Sequence, residues 1–106
     1  MTRQHFFFRL IPARPTFVQD MTEYERALMA EHATYMKMFF ESGSVLGYGP
    51  VLDSAGPFGI GLLEMNDLAE AERFAQGDPT IKAGMNTYTI FPMIVTGSQP
   101  SRNAQG

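Results

Sequence analysis

A chain of 106 residues is long enough for one compact domain and too short for two. With 44% hydrophobic and 18% charged residues, it has a globular composition that excludes the disordered and fibrous classes. The absence of cysteine excludes disulfides, thiolate chemistry and cysteine-type zinc sites, and a net charge of −3 with scattered Lys and Arg leaves no basic stripe for nucleic acid.

The opening MTRQHFFFRLIPARP contains an apolar run that is interrupted by Arg9 and too short for a signal sequence. No run approaches the roughly 18 to 20 apolar residues of a membrane span. The expectation is a strand over His5 to Ile11, in a cytoplasmic protein that neither enters a membrane nor binds nucleic acid. Phe6, Phe8 and Leu10 point one way along that strand, and His5, Phe7 and Arg9 the other. Two prolines between Pro12 and Met21 indicate a loop. Thr22 and Glu25 then form a Thr-x-x-Glu capping box, predicting a helix from Glu23 to Glu41 that stops at Ser42-Gly43.

Ser44 to Leu52 reads as a glycine-interrupted strand, Asp53 to Pro57 as a turn, and Phe58 to Met65 as the partner strand. Asp67 with Glu70 opens a short helix from Leu68 to Gln76, ended by Gly77 and barred from continuing by Asp78-Pro79. Residues 80 to 85 read as a brief turn or a single helical turn. Thr87 to Val95 is the last strand, and Pro92 within it favours an edge or a bulge. The domain is expected over residues 1–96, with a polar, disordered tail over 97–106.

The order β-α-β-β-α-β predicts a ferredoxin-like α+β fold, a four-stranded antiparallel sheet with two helices on one face. Strand one carries phenylalanine on both faces, and Phe91, Met93 and Val95 share one side of the last strand. A sheet apolar on both faces with helices for only one predicts a homodimer joined through the sheets. The alternative is that the loop over 12–21 covers the second face.

A helix turns about 100° per residue, so Tyr24, Leu28, His32, Tyr35 and Phe39 fall in one arc, opposite Glu23, Arg26, Lys37 and Glu41. His32 therefore points inward. It reads either as a core histidine satisfied by backbone or a tyrosine hydroxyl, or as a site residue. Gly47, Gly49 and Pro50 remove bulk from the following strand, which marks either a bulge or close approach of a ligand. Asp78-Pro79 reads as a helix-stop turn and Asp53 as a turn cap. His5, on the outward side of strand one, reads as an interface or surface residue. Tyr24, Tyr35, Tyr48 and Tyr88 suit either core packing or an aromatic-tolerant site, and the methionines (Met29, Met36, Met38, Met65, Met93) either core filling or an adaptable pocket.

The set formed by His32, Gly43, Gly49-Pro50, Asp53, Asp78-Pro79, Gly84 and a last strand holding Pro92 resembles the YciI-like (YCII-related) family, from about residue 5 to 95. The resemblance implies a ferredoxin-like domain that dimerises as dimeric α/β-barrel proteins do, and a pocket with a histidine–aspartate dyad. A few members are linked to dehydrochlorination of hydroxylated aromatics, and related sequences accompany sigma factors. Carried over by position, the dyad falls on His32 and Asp78, with Gly49 and Pro50 shaping the pocket wall and Tyr35 and Tyr48 as further substrate-binding candidates. A carboxylate on one imidazole nitrogen fixes the tautomer and raises the basicity of the other, which is what a general base requires. Two departures stand out: some members have arginine where this chain has Met29, and the turn from Asp53 to Pro57 is short.

The implied function is a cofactor-free lyase or isomerase acting on a small cyclic or aromatic metabolite. The alternative is a non-catalytic dimeric module that binds a small ligand or a regulatory protein. Heme or metal binding ranks lowest: it rests on fold analogy, and one histidine with one aspartate is too few ligands for zinc.

Overall fold

Residues 3–99 are described by a computed structural model; the part of the expected tail over 100–106 lies outside the described residues. The elements in chain order are β1 (Gln4–Ile11), α1 (Phe17–Asp20), α2 (Glu23–Glu41), β2 (Val45–Val51), β3 (Phe58–Met65), α3 (Leu68–Gln76), α4 (Pro79–Lys82) and β4 (Thr87–Met93). The four strands form one antiparallel sheet in the order β2-β3-β1-β4. This is the ferredoxin-like arrangement. β4 lies at an edge, where Pro92, opposite Phe6, leaves no central ladder bond unmade.

The helix ends follow from local chemistry. Thr22 Oγ1 accepts from the Glu25 N–H at 3.1 Å and Glu25 Oε1 from the Thr22 N–H at 2.9 Å, so the box caps α2 reciprocally. Such a cap contributes about 1 kcal/mol. Gly43, at φ +90°, takes the left-handed conformation just past the end of α2. At α3 the box is offset: Asp67 accepts from the Glu70 N–H, but Glu70 Oε1 reaches the N–H of Asn66 instead of Asp67. Gly77 ends α3 in right-handed geometry, so its role is not φ freedom. A Cβ there would collide with the Tyr35 hydroxyl, and only glycine permits that approach.

The core lies between the sheet and the helices. Phe6, Phe8 and Leu10 of β1 pack with Leu63 and Met65 of β3, Met36 of α2, and Ala71, Phe74 and Ala75 of α3. Burying a Phe or Leu fully is worth about 1.5–3 kcal/mol, so this layer is the main source of stability. On the opposite face, Leu62, Phe7 and Phe91 form a row across β3, β1 and β4, and Phe91 is 57% exposed.

Three details differ from the sequence expectation. The segment over 12–21 is not wholly loop. Phe17 buries itself and the chain closes into α1, with the Gln19 and Asp20 N–H groups donating to the Thr16 carbonyl. That segment packs on the helix side of the sheet and leaves the Leu62–Phe7–Phe91 row uncovered. Tyr24, placed inward by helical projection, is 67% exposed because the first turn of α2 extends past the core. The last strand ends at Met93, and Ile94 beyond it is exposed.

Candidate functional site

The long helix α2 carries His32 at its middle, and Asp78, directly after the close of α3, is the N-cap of α4. α2 packs against α4, and this brings the two residues together across 46 positions of sequence. His32 Nδ1 lies 2.5 Å from Asp78 Oδ2, a short charge-assisted contact. The other carboxylate oxygen, Oδ1, accepts from the Thr80 N–H at 2.8 Å and the Thr80 hydroxyl at 2.7 Å. Asp78 and Thr80 are buried, while the His32 side chain keeps 16% of its surface accessible.

Burial by itself would raise the Asp78 carboxyl. The hydrogen bonds from His32 and Thr80 outweigh it and hold the group below the ordinary carboxylate value of 3.8. Asp78 is therefore an anion at neutral pH. In the neutral ring, an anion at Nδ1 favours the tautomer that carries its proton on that nitrogen and its lone pair on Nε2. Among the described residues Nε2 has no hydrogen-bond partner.

His32 lines a cavity of about 290 Å3 between α2, the segment around α1 and the sheet. Its walls are mainly apolar, with Phe8 and Leu10 from β1, Phe17 from α1, Met29 and Met36 from α2, and Phe58 from β3. Tyr48, Gly49 and Pro50 line it from β2. The register of β2 against β3 shifts between Val45 and Gly47, so a bulge sits where the sequence offered one as an alternative. A Cβ at Gly49 would meet nothing within 4 Å, so this glycine opens space and makes way for no neighbouring backbone.

Tyr35 stands elsewhere. Its hydroxyl donates to the Phe74 carbonyl at 2.8 Å, and its ring borders a separate depression with Asp67, Glu70 and Arg73. That depression, about 430 Å3, holds neither His32 nor Asp78 and shares no residue with the His32 cavity. Tyr88 does not line the His32 cavity either, and its hydroxyl donates to Glu72 at 2.6 Å. Asp53 caps its turn by accepting from the Ala55 N–H at 2.9 Å. His5 contacts Glu64 at 3.1 Å on the open sheet face.

Two features of the site escaped sequence reasoning. Thr80, which anchors Asp78, carries the Asp-Pro-Thr signal of a helix N-terminus, where the aspartate accepts from the N–H two residues on. Asn86, which also lines the cavity, has no local signal at all. No group of three or more His, Asp or Glu residues suited to a metal occurs among the described residues, and no described helix is long and apolar enough to cross a membrane.

Among solved structures, the chain is similar to 5-chloro-2-hydroxyhydroquinone dehydrochlorinase (TftG) from Burkholderia phenoliruptrix AC1100, in complex with 2,5-dihydroxybenzoquinone. The match has a TM-score of 0.60 at 19% identity and covers 81% of this chain and 90% of that one. Likeness at this identity speaks for the fold alone. No curated protein sequence matches. The sequence model of the YCII-related domain matches residues 5–94, nearly the whole of the described chain, and the protein belongs to the YCII-related family.

Proposed function

We propose that this protein is a small enzyme of the lyase or isomerase type, in which His32 is the general base and Asp78 its orienting carboxylate. The ligand is a small cyclic or aromatic molecule held in the apolar cavity. The observation that carries this reading is the part-buried His32–Asp78 contact of 2.5 Å, with His32 on the wall of a cavity of about 290 Å3, close to the lower end of the roughly 300–1,000 Å3 range of small-molecule pockets. That TftG is a dehydrochlorinase solved in complex with 2,5-dihydroxybenzoquinone makes hydroxylated rings the first ligands to try.

In this scheme Nε2 takes a proton from an acidic O–H or C–H of the ligand, and the electron pair stays on the ligand. The imidazolium is stabilised by the Asp78 carboxylate on its far side, which remains ionised. The pair then either shifts a double bond, with the proton returned at another position, or expels a leaving group. Gly49 and Pro50 shape the wall and Tyr48 closes its outer part, packed 5.6 Å from the Phe40 ring. No step calls for a cofactor.

The row of half-buried Leu62 and Phe7 with exposed Phe91, on the sheet face that no helix covers, supports a homodimer through the sheet faces, which would bury it. In sedimentation at micromolar concentration, the wild type is expected as a dimer and Phe91→Glu as a monomer. A wild-type monomer removes the dimer from the proposal.

One observation favours a second reading, a non-catalytic binding module. Asp78 also caps α4 through Thr80, so the carboxylate has a structural use that requires no chemistry. Incubation with hydroxylated rings in D2O, followed by NMR, separates the two. A base gives ring or α-carbon proton exchange that disappears in His32→Asn, whereas a binding module gives shifted ligand signals and no exchange in either protein.

A further inference from the structure

We infer that Asn86 is a ligand-binding residue of the His32 cavity, and that it selects small uncharged rings carrying a hydroxyl or carbonyl over acids and over plain hydrocarbons. The inference rests on the cavity being the ligand site and does not require His32 to act as a base.

Two observations carry it. The first is the polar inventory of the cavity. Its polar side chains are His32, Tyr48 and Asn86; among the described residues no Lys, Arg, Asp or Glu side chain lines it, His32 is already paired with Asp78, and Met29 stands on the wall. A carboxylate or phosphate entering there would lose water and find no fixed positive charge, which is costly.

The second is the state of Asn86 itself. It is 3% exposed, and its Oδ1 has no hydrogen-bond donor among the described residues. Its Nδ2 has only the Met29 sulfur, at 3.6 Å, and a thioether is a weak acceptor. Exchanging the amide oxygen and nitrogen leaves the same deficit. Buried amides are nearly always satisfied, so an under-bonded one on a cavity wall points to a partner that arrives with the ligand. The Oδ1 atom is fully buried, so a ligand hydroxyl would reach it by a turn of the amide toward the cavity, and a ligand carbonyl would accept from the nitrogen in the same way.

The backbone holds this amide in place. The Asn86 N–H donates to the Thr80 carbonyl at 3.1 Å, and Thr80 is the residue whose N–H and hydroxyl anchor Asp78. Gly84, at φ +73°, turns the chain after α4 so that both the dyad carboxylate and Asn86 hang from one tight segment. The sequence Asp78 to Asn86 thus carries both the carboxylate that orients His32 and the amide on the cavity wall.

The test is a titration of wild-type protein and Asn86→Leu with three probes of one ring: resorcinol, toluene and benzoate, followed by 15N–1H NMR. The wild type is expected to bind resorcinol most tightly and to shift the Asn86 side-chain amide signals on binding. Asn86→Leu, nearly isosteric, is expected to lose resorcinol affinity by about 10- to 100-fold while keeping toluene. Equal resorcinol affinity in the two proteins, benzoate as the tightest probe, or an unmoved Asn86 amide signal in the wild type would each overturn the inference. Should Asn86→Leu not fold, the wild-type probe order and the amide shift decide alone. His32→Asn is expected to keep the preference for resorcinol over benzoate. Lost proton exchange with intact probe order would therefore leave this inference standing whatever becomes of the base.

Discussion

The chain has two histidines, and each faces a carboxylate, but the two pairs are built differently. His5 and Glu64 lie opposite each other on neighbouring strands, 3.1 Å apart, with 25% and 34% of their side chains accessible. His32 and Asp78 come from separate helices, 2.5 Å apart, with 16% and 1% accessible. Glu64 accepts on one oxygen from His5, whereas Asp78 is held on both, by His32 on one side and by Thr80 twice on the other. A pair of the same chemistry is therefore a loose surface contact in one place and an oriented unit in the other. Burial and a second anchor make the difference: solvent screens the first pair, and the low-dielectric surroundings of the second leave its geometry few alternatives.

Four measurements bear on that contrast. The largest effect belongs to His32→Asn and Asp78→Asn, each expected to lower proton exchange of a bound hydroxylated ring by roughly 10²- to 10⁴-fold. His5→Ala in the same assay should leave the rate unchanged, and a comparable loss there would erase the distinction. Next is Thr80→Val, which removes one of two donors to Asp78 Oδ1 in a fully buried site. Its cost should be about 1–3 kcal/mol in denaturant unfolding, with a smaller drop in exchange.

Third is acid. The folded Asp78 carboxyl lies below its ordinary value of 3.8, so its contribution to stability is complete above that value. It is lost as the pH falls from there through the lower folded value. Glu25, held down to about 2 by Arg14, and Asp20 behave in the same sense, so wild-type melting temperature should drop on acidification below about pH 4. Asp78→Asn, less stable at neutral pH, should show a shallower fall, and identical slopes would mean that Asp78 is not held low. Smallest is Glu64→Gln placed in the monomeric Phe91→Glu background, where a half-buried, solvent-reached pair predicts a stability change within about 0.5 kcal/mol. A loss above about 1 kcal/mol in that background would mean that the His5 pair is held as firmly as the His32 pair.

Most of the architecture is readable from short stretches of chain. Thr22 and Glu25, Gly43, Asp67 and the alternation of Phe6, Phe8 and Leu10 each act within a few residues, and each element forms where those signals lie. Helical spacing also puts His32 on the inward side of α2. It could not do the same for Tyr24, because a projection records direction and not how far the core extends along the axis. Tyr35 faces inward as projected, yet Gly77 admits its hydroxyl to the end of α3 and draws it away from the cavity.

The order of elements, their caps and the facing of their apolar residues are thus written locally, since period, cap and turn chemistry depend only on near neighbours. The assembly of the site is a long-range matter. Asp78 by its own neighbourhood is a helix-stop residue, and it becomes a histidine partner because α2 and α4 pack together. Asn86 has no signature in its own stretch and acquires a role through Gly84, Thr80 and the cavity that Phe17 helps to close. Burial and distance between residues far apart in the chain are properties of the packed molecule, and they separate the second histidine pair from the first.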